Sequence, residues 1–260
     1  MKTLRSRDNP LLKQLVKLSG SSRERRLSGT AILDGEHLIE AYCAAGTHPL
    51  EVIVASESGM QRAAISRLME RAPARARALI EDRLLAQLSQ VVTTSGILAL
   101  IKTPQAPQLP SKIHDGIFLE GIQDPGNLGS ILRSALAAGL REVFLSRASV
   151  FAWSPKVIRA GMGAHFHLAI HENVDLHEIC QRASGVVVAA RPQAGQSIYD
   201  ADLRVPAIWM FGNEGAGLSQ AAQQAAGLNV RVPMASQTES LNVAAAAAIC
   251  LFEQRRQRHG

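Results

Sequence analysis

Short apolar runs alternate with helix-like segments along most of the chain. After residue 112 the apolar runs occupy residues 116–120, 142–145, 186–190, 207–211 and 230–233. Residues 130–138, which are followed by Gly139, and the alanine-rich residues 241–256 are predicted to be helices. Because apolar strands that alternate with helices are typical of a parallel sheet covered on both faces, this pattern predicts an α/β domain.

The N-terminal part of the chain shows a similar alternation in shorter segments. Leu11, Leu12, Leu15 and Leu18 recur at helical spacing. Strands are predicted over residues 31–33 and 51–55, and helices over residues 36–45, 61–71 and 81–88. These elements together predict a small α/β domain.

Proline and glutamine cluster between the two parts, in the sequence Thr-Pro-Gln-Ala-Pro-Gln-Leu-Pro at residues 103–110. Repeated prolines exclude a helix and disfavour a central strand, so this segment is predicted to be a linker. The sequence therefore predicts a first domain over residues 1–102, a linker over residues 103–112 and a second domain over residues 113–260.

Composition narrows the class of protein. Hydrophobic residues make up 47% of the 260 residues, which is ample for packed cores. No apolar run approaches the roughly 20 residues that a transmembrane helix needs, so no membrane partner is expected. The three cysteines, Cys43, Cys180 and Cys250, are far apart, which argues against a disulfide framework and a zinc site. A cytoplasmic protein is the resulting expectation.

The net charge of +6 is concentrated at the start of the chain. Residues 1–30 contain eight basic side chains but only two acidic ones, Asp8 and Glu24, so this segment carries the whole net charge. Such a basic segment is typical of proteins that bind a polyanion. A solvated helix face or a flexible basic start would give the same composition. Within it, Arg23, Arg25 and Arg26 are the candidate RNA-binding residues.

Three segments rich in glycine and polar residues follow predicted strands, where ligands bind in open α/β sheets. They occupy residues 123–133, 211–219 and 232–242. The glycine-rich loop after Phe211 lacks the Gly-x-Gly-x-x-Gly pattern, and the chain contains no Gly-x-x-x-x-Gly-Lys-[Ser/Thr] phosphate loop. Taken alone, this loop is typical of a tight turn between a strand and a helix.

Together the three segments resemble, in order and spacing, the motifs of the SpoU (TrmH) family of RNA 2′-O-ribose methyltransferases. The matching residues are Asn127, Gly129 and Arg133 in the first segment; Gly212, Glu214, Gly215, Gly217 and Leu218 in the second; Ser240, Leu241 and Asn242 in the third. The resemblance implies an S-adenosylmethionine-dependent enzyme. It implies a C-terminal SPOUT α/β trefoil-knot domain with a parallel sheet, a homodimer, and a small N-terminal α/β domain that resembles ribosomal proteins and binds RNA.

The resemblance also implies roles for individual residues. The catalytic candidates are Arg133, Glu214, Ser240, Asn242 and Asn127. The cofactor would lie against Gly212, Val232 and Leu241, with Met210, Glu214 and Met234 as neighbours. Because an ordinary arginine stays protonated, Arg133 is expected to stabilise the emerging ribose alkoxide, and the substrate phosphate or an altered Arg133 would accept the proton.

Each of these side chains has a simpler structural interpretation. Arg133 could be a surface helix residue, Ser240 an N-cap, Asn242 a first-turn residue and Glu214 a partner in a loop ion pair. It is not expected that all four residues have only such structural roles and still match three motifs in the correct order. Lys156 and Arg159 are further RNA-binding candidates or a solvated pair. His165, His167 and His171 alternate, but no cysteine lies nearby, and no metal is expected.

The sequence leads to one main hypothesis and two alternatives. The main one is methyl transfer to a ribose 2′-hydroxyl in structured RNA, with ribosomal RNA preferred over transfer RNA. A non-catalytic RNA-binding or ribosome-assembly factor that retains the fold would be expected to have lost Arg133, Glu214, Ser240 or Asn242, and all four are present. A nicotinamide-dependent oxidoreductase is disfavoured by the missing dinucleotide-binding pattern.

Overall fold

A computed structural model describes residues 2–46, 48–89, 94–104 and 108–260. The chain divides into two compact units. The first comprises Met1–Gln105 and Trp153–Phe166, and the second comprises Ala106–Ala152 and His167–Gly260. Residues 105–107 of the predicted linker lie outside the described part of the chain.

A five-stranded mixed sheet with helices packed on it forms the first unit. Its elements before the linker are β1 (Lys2–Leu4), α1 (Pro10–Gly20), α2 (Ser22–Ser28), β2 (Thr30–Asp34), α3 (Glu36–Ala45), β3 (Leu50–Ser56), α4 (Ala63–Arg71), β4 (Ala74–Ile80), α5 (Asp82–Leu88) and β5 (Ile97–Lys102). The strand order is β1-β4-β3-β5-β2, and β5 runs antiparallel to both of its neighbours. Of the leucines at helical spacing on α1, Leu12, Leu15 and Leu18 are buried in the core, and Leu11 packs against it partly buried.

The interior strand β4 is not predicted by the sequence pattern, for a physical reason. Its first five residues alternate alanine with arginine, and only its last three residues, 78–80, form an apolar run. Arg77 on this strand donates hydrogen bonds to the carbonyl oxygens of Met69 (2.8 Å) and Ala72, and so links β4 to the end of α4. Small side chains and an arginine with backbone partners allow this strand to lie inside the sheet.

The second unit is built on a seven-stranded, wholly parallel sheet. Its elements are β6 (Gly116–Glu120), α6 (Pro125–Ala138), β7 (Glu142–Leu145), β8 (Ala169–Glu172), α8 (Leu176–Arg182), β9 (Val186–Ala190), β10 (Gln196–Ser197), β11 (Ala207–Gly212), α9 (Gln220–Ala225), β12 (Leu228–Arg231) and α10 (Val243–His259). The helix α7 (Pro155–Gly161) belongs to the first unit. The predicted α/β class with a parallel sheet is confirmed.

The strand order of this sheet is β10-β12-β9-β11-β6-β7-β8. From β6 the chain adds β7 and β8 on one side, and it then places all later strands on the other side of β6. The order therefore reverses between β6 and β11. In an open parallel sheet such a switch point opens a crevice beyond the carboxyl ends of the two strands. The first two motif segments follow β6 and β11.

Buried contacts connect the last helix to the sheet of the second unit. The Trp209 side chain on β11 is fully buried, and its indole Nε1 donates a hydrogen bond to Gln254 Oε1 on α10 at 2.8 Å. Apolar residues of α10 such as Cys250 and Leu251 are also buried. The helix thus begins at the third motif segment and lies against the strand that leads into the second.

The segment Trp153–Phe166 packs within the first unit, although it follows β7 in sequence. Its helix α7 packs on β2. The Phe166 ring meets the Tyr42 ring of α3 edge to face, with ring centres 5.2 Å apart. Val157 and Ile158 are fully buried. The first unit is therefore built from two separate stretches of sequence, which the linker position alone does not predict.

The three alternating histidines occupy different environments. His171 on β8 is buried, stacks on Phe144 with ring centres 5.0 Å apart, and lies 2.9 Å from the Glu142 carboxylate. His165 packs against Trp153 in the first unit. Within the described ranges, no group of three or more His, Cys, Asp or Glu side chains could hold a metal ion. Those ranges also contain no helix that is long and apolar enough to cross a membrane.

Candidate active site

Three loops meet beyond the carboxyl ends of the parallel strands and enclose a cavity of about 640 Å³. They are the start of α6 after β6, the glycine-rich loop between β11 and α9, and the loop between β12 and α10. The cavity wall includes both apolar and polar side chains from these loops, among them Asn127, Glu214, Leu218, Val232, Met234, Ser240, Leu241 and Asn242. The fold thus places the three motif segments at one cavity.

Gly212 ends β11 at a tight reversal of the backbone. A Cβ at this position would lie 2.2 Å from the backbone nitrogen of Leu218, so only glycine fits. Two backbone hydrogen bonds between Asn213 and Gly217, of 2.9 and 3.1 Å, close the loop. Gly217 adopts a φ of +68°, which glycine adopts without strain. These features bring backbone N–H and C=O groups to the cavity surface.

Asn213 holds the same loop through its side chain. Its Nδ2 donates to the carbonyl oxygen of Gly121 at 2.8 Å, and its Oδ1 accepts from the N–H groups of Gly215 and Ala216, both at 2.9 Å. Because Gly121 follows β6, this amide fixes the second motif loop against the first. An asparagine in a Gly-Asn-Glu-Gly sequence is typical of any turn, so this role of Asn213 cannot be predicted from the sequence.

A chain of hydrogen bonds joins all three motifs. Asn127 Nδ2 donates to Glu214 Oε1 at 3.1 Å, and Asn242 Nδ2 donates to Asn127 Oδ1 at 2.9 Å. Asn242 Oδ1 accepts from the N–H groups of Ala244 and Ala245 and so caps α10. Because that capping oxygen must face the helix, the amide of Asn242 can only donate toward Asn127. The orientation of both amides follows from these contacts.

The Glu214 carboxylate is an acceptor for several donors at once. The backbone N–H groups of Asp124 and Gln123 donate to it at 3.1 and 3.3 Å, in addition to Asn127 Nδ2. Burial raises the pKa of this carboxyl, but the hydrogen bonds from Asn127, from its own backbone N–H and from the two N–H groups before α6 outweigh that effect and lower the pKa below 4.5. Glu214 is therefore ionised at neutral pH.

The cavity has the size and chemistry of a nucleoside site. Ligand cavities typically measure about 300–1,000 Å³, with mainly apolar walls and a few polar groups. Here Leu218, Val232 and Leu241 provide apolar surface, and the loop at Gly212 provides backbone donors and acceptors. Such groups can hold a planar base between apolar side chains while backbone atoms bond to its edge. The residues present therefore fit S-adenosylmethionine.

Most of the predicted site residues lie on this cavity, but two do not. Asn127, Gly212, Glu214, Val232, Met234, Ser240, Leu241 and Asn242 line it. Met210 is fully buried in the core of the sheet and is not in the cavity wall. Arg133 is exposed on α6, is not one of the residues that line the cavity, and forms no hydrogen bond or ion pair with the described residues.

The predicted RNA-binding residues lie in the first unit and differ in exposure. Arg23, Arg26 and Lys156 are exposed, and Arg159 is half-buried. Arg25 is buried, and its Nη1 donates to the carbonyl oxygens of Leu18 and Ser19 at the end of α1. The prediction that Arg25 binds RNA is therefore wrong in this structure, because its guanidinium is used to hold the end of a helix.

Sequence reasoning missed several residues of the cavity wall. Arg191, Pro192 and Gln193 follow β9, the strand between β11 and β12, and all three line the cavity. The position of β9 between the two motif-bearing strands, which exposes its carboxyl end at the same edge, is the signal that identifies them. That signal depends on strand order, which hydrophobic patterning does not provide.

Comparisons with known proteins identify the family of this chain. The family model described as the SpoU rRNA Methylase family matches residues 116–252. An uncharacterized tRNA/rRNA methyltransferase of Synechocystis sp. is 34% identical over 98% of this chain and 94% of that protein. The 23S rRNA (guanosine(2553)-2′-O)-methyltransferase RlmP of Bacillus subtilis is 30% identical over 98% of this chain and its own full length, 100%.

A solved structure is similar over both units. It is the SpoU methyltransferase AviRb from Streptomyces viridochromogenes in complex with AdoMet, with a TM-score of 0.86, 26% identity, and coverage of 96% of this chain and 98% of that one. These findings confirm the predicted S-adenosylmethionine-dependent RNA 2′-O-methyltransferase and its cofactor. The chain belongs to the SpoU rRNA methylase family.

Proposed function

We propose that this chain methylates a ribose 2′-hydroxyl of structured ribosomal RNA, with transfer RNA as the less favoured substrate. The observation that carries the proposal is the chain of hydrogen bonds from Glu214 through Asn127 to Asn242 in the wall of the cavity. It connects the three motif loops in one polar arrangement, as a site that must align a ribose with a bound cofactor requires. The preference for ribosomal RNA rests on relatives such as RlmP.

Bound S-adenosylmethionine supplies a methyl group on a positively charged sulfur. The protein's own task is to hold the ribose in line and to stabilise charge on its oxygen. We assign alignment of the ribose to Asn127, Ser240 and Asn242, which line the cavity, and assign Glu214 to the ordering of the first two loops. Arg133 does not line the cavity, but it is an exposed, permanent cation on the same helix as Asn127. We assign to it the stabilisation of the developing alkoxide and the adjacent phosphate once RNA is bound.

The finer architecture of the family belongs to the same proposal. We infer a trefoil knot in the second unit and a homodimer formed through that unit. Support for the knot comes from β11 and β12, which are each inserted between strands formed earlier in the chain. The homodimer is inferred from the resemblance to the SpoU family. The first unit is assigned to RNA binding, and a cytoplasmic location stays a prediction.

Methyl transfer from labelled S-adenosylmethionine to RNA that lacks the modification tests the proposal. We expect label in a 2′-O-methylated nucleotide of ribosomal RNA with the wild-type protein, and loss of that label with Arg133→Ala. Arg204→Ala is the matched control, because Arg204 is an exposed arginine that, within the described part of the chain, pairs only with the nearby Asp202, at 2.9 Å. Cofactor binding without transfer to any RNA would instead support a non-catalytic RNA-binding protein.

A further inference from the structure

Arg191 is the only cation among the described residues that line the cavity. It directly follows β9, whose carboxyl end lies between those of β11 and β12 in the sheet. The loops after β11 and β12 contain Gly212 and Val232, which form the proposed cofactor site. Arg191 therefore places a single positive charge at the end of β9, between the two strands that lead into the proposed cofactor site.

The backbone of Arg191 is fixed on both sides. Its N–H donates to the carbonyl oxygen of Val230 at 2.9 Å, and the following Pro192 restricts it to an extended conformation. Arg231 on β12 donates through Nη1 to the carbonyl oxygens of Ala194 (2.8 Å) and Gly195, and so holds the turn after Arg191. The neighbouring arginine is thus used for structure, while Arg191 is left to face the cavity.

The Arg191 guanidinium has no acceptor among the described residues. Its Nε is buried and forms no hydrogen bond, and no ion pair or side-chain hydrogen bond involves it within that part of the chain. The two acidic residues in the same wall are Glu214, which already accepts several hydrogen bonds, and Glu239. Buried donors without a partner are rare in native proteins, so an acceptor supplied by the ligand is expected here.

We propose that Arg191 binds the carboxylate of the methionine part of S-adenosylmethionine. The inference rests on the proposed cofactor site. That carboxylate is the only anionic group of the cofactor, and a planar guanidinium pairs with a carboxylate through two parallel hydrogen bonds. Arg191 then selects ligands that carry the amino-acid group over adenosine thioethers that lack it, and it orients the chain that ends at the sulfur.

Calorimetric titration of the full chain with two ligands tests this assignment. S-adenosylhomocysteine keeps the carboxylate, whereas 5′-methylthioadenosine keeps the nucleoside and the sulfur but lacks the amino-acid group. Arg191→Gln is expected to weaken binding of S-adenosylhomocysteine by about 10- to 100-fold and to leave binding of methylthioadenosine unchanged. Arg191→Lys keeps the charge but not the planar guanidinium, so its affinity for S-adenosylhomocysteine should lie between those of the wild type and Arg191→Gln. Arg204→Gln is the control and should bind both ligands like the wild type.

Three results would overturn the assignment. One is equal S-adenosylhomocysteine affinity in wild type and Arg191→Gln. Another is an equal loss of affinity for both ligands in Arg191→Gln, with the unfolding temperature of the wild type retained. That result would mean that Arg191 shapes the cavity and does not bind the carboxylate. The third is a loss of RNA affinity alone, which would place a phosphate of the substrate at Arg191. If the wild-type chain binds neither ligand, the proposed cofactor site itself fails.

Discussion

The Asn127 side chain forms hydrogen bonds with two other site residues, so its removal should affect activity more than stability. It donates to Glu214 and accepts from Asn242 at the surface of the cavity. Asn127→Ala removes a hydrogen bond to a charged group, and we expect kcat/KM for methyl transfer to fall about 10- to 100-fold. Gln181→Ala is the control, since the Gln181 side chain bonds only to His177 on α8 among the described residues. Wild-type kcat/KM in Asn127→Ala would contradict the assignment.

The lowered pKa of Glu214 predicts how acid affects the site. Because the pKa in the folded protein lies below 4.5, the ionised carboxylate contributes stability that is fully present above pH 4.5 and is lost as the pH falls through the folded pKa. The difference in free energy of unfolding between wild type and Glu214→Gln should therefore be constant above pH 4.5 and shrink below it. Denaturant titrations at a series of pH values measure this difference. A difference that grows in acid would contradict the prediction.

Asn242 acts at the scale of an element, since it caps the long helix α10 and also contacts Asn127. Asn242→Ala removes the cap and should lower the free energy of unfolding by about 1 kcal/mol. Asn242→Asp keeps the capping oxygen but loses the donor to Asn127, so it should retain stability and still transfer methyl more slowly. Thermal unfolding and transfer rates on the same samples separate the two effects. An equal loss of unfolding free energy in both variants would show that the missing helix cap does not cause the loss in Asn242→Ala.

Some elements could be predicted from the sequence and others could not. The strands at residues 116–120, 142–145 and 186–190 were predicted with their observed ends, because buried parallel strands are continuous apolar runs. Strand β4 was missed because alternating alanine and arginine carries no such signal. The start of α6 was placed at residue 130, although its N-cap is Asp124, because the glycine-rich first turn is not typical of a helix.

The candidate site likewise contains residues that could be predicted from the sequence and residues that could not. Asn127, Glu214 and Asn242 were identified from motif residues, but the hydrogen bonds that join them depend on tertiary structure. Met210 was named with its neighbours, yet alternation along β11 turns its side chain into the core. Arg191 has no motif around it and becomes visible only once β9 is placed between β11 and β12. Sequence patterns identify candidate functional residues along the chain, whereas the order of the strands in the sheet determines which of those residues line the cavity.

Charge on the first unit is a property of the whole molecule, and it predicts salt-dependent RNA binding. Arg23 and Arg26 are exposed on α2, whereas Arg25 is buried and must be left unchanged. Replacing both exposed arginines with glutamine should lower RNA affinity and reduce the slope of log affinity against log salt by at most about 2. Affinity for S-adenosylhomocysteine should not change.

Arg75→Gln is the control for this experiment, because Arg75 is exposed in the same unit and pairs with Glu51 at 3.2 Å. Filter binding at several salt concentrations gives the slope for each variant. An unchanged slope in the double variant would mean that these two arginines do not contact phosphates. A loss of cofactor affinity would mean that the substitutions disturb more than the RNA surface.

The packing of Trp153–Phe166 within the first unit limits how this protein can be divided or recombined. A fragment that begins after the linker would carry α7 without the sheet on which it packs, and would expose Val157 and Ile158 to water. A first unit made from residues 1–102 alone would in turn lack part of its own interior. The two halves are thus not interchangeable modules, because a cut at the linker removes Trp153–Phe166 from the unit in which it packs.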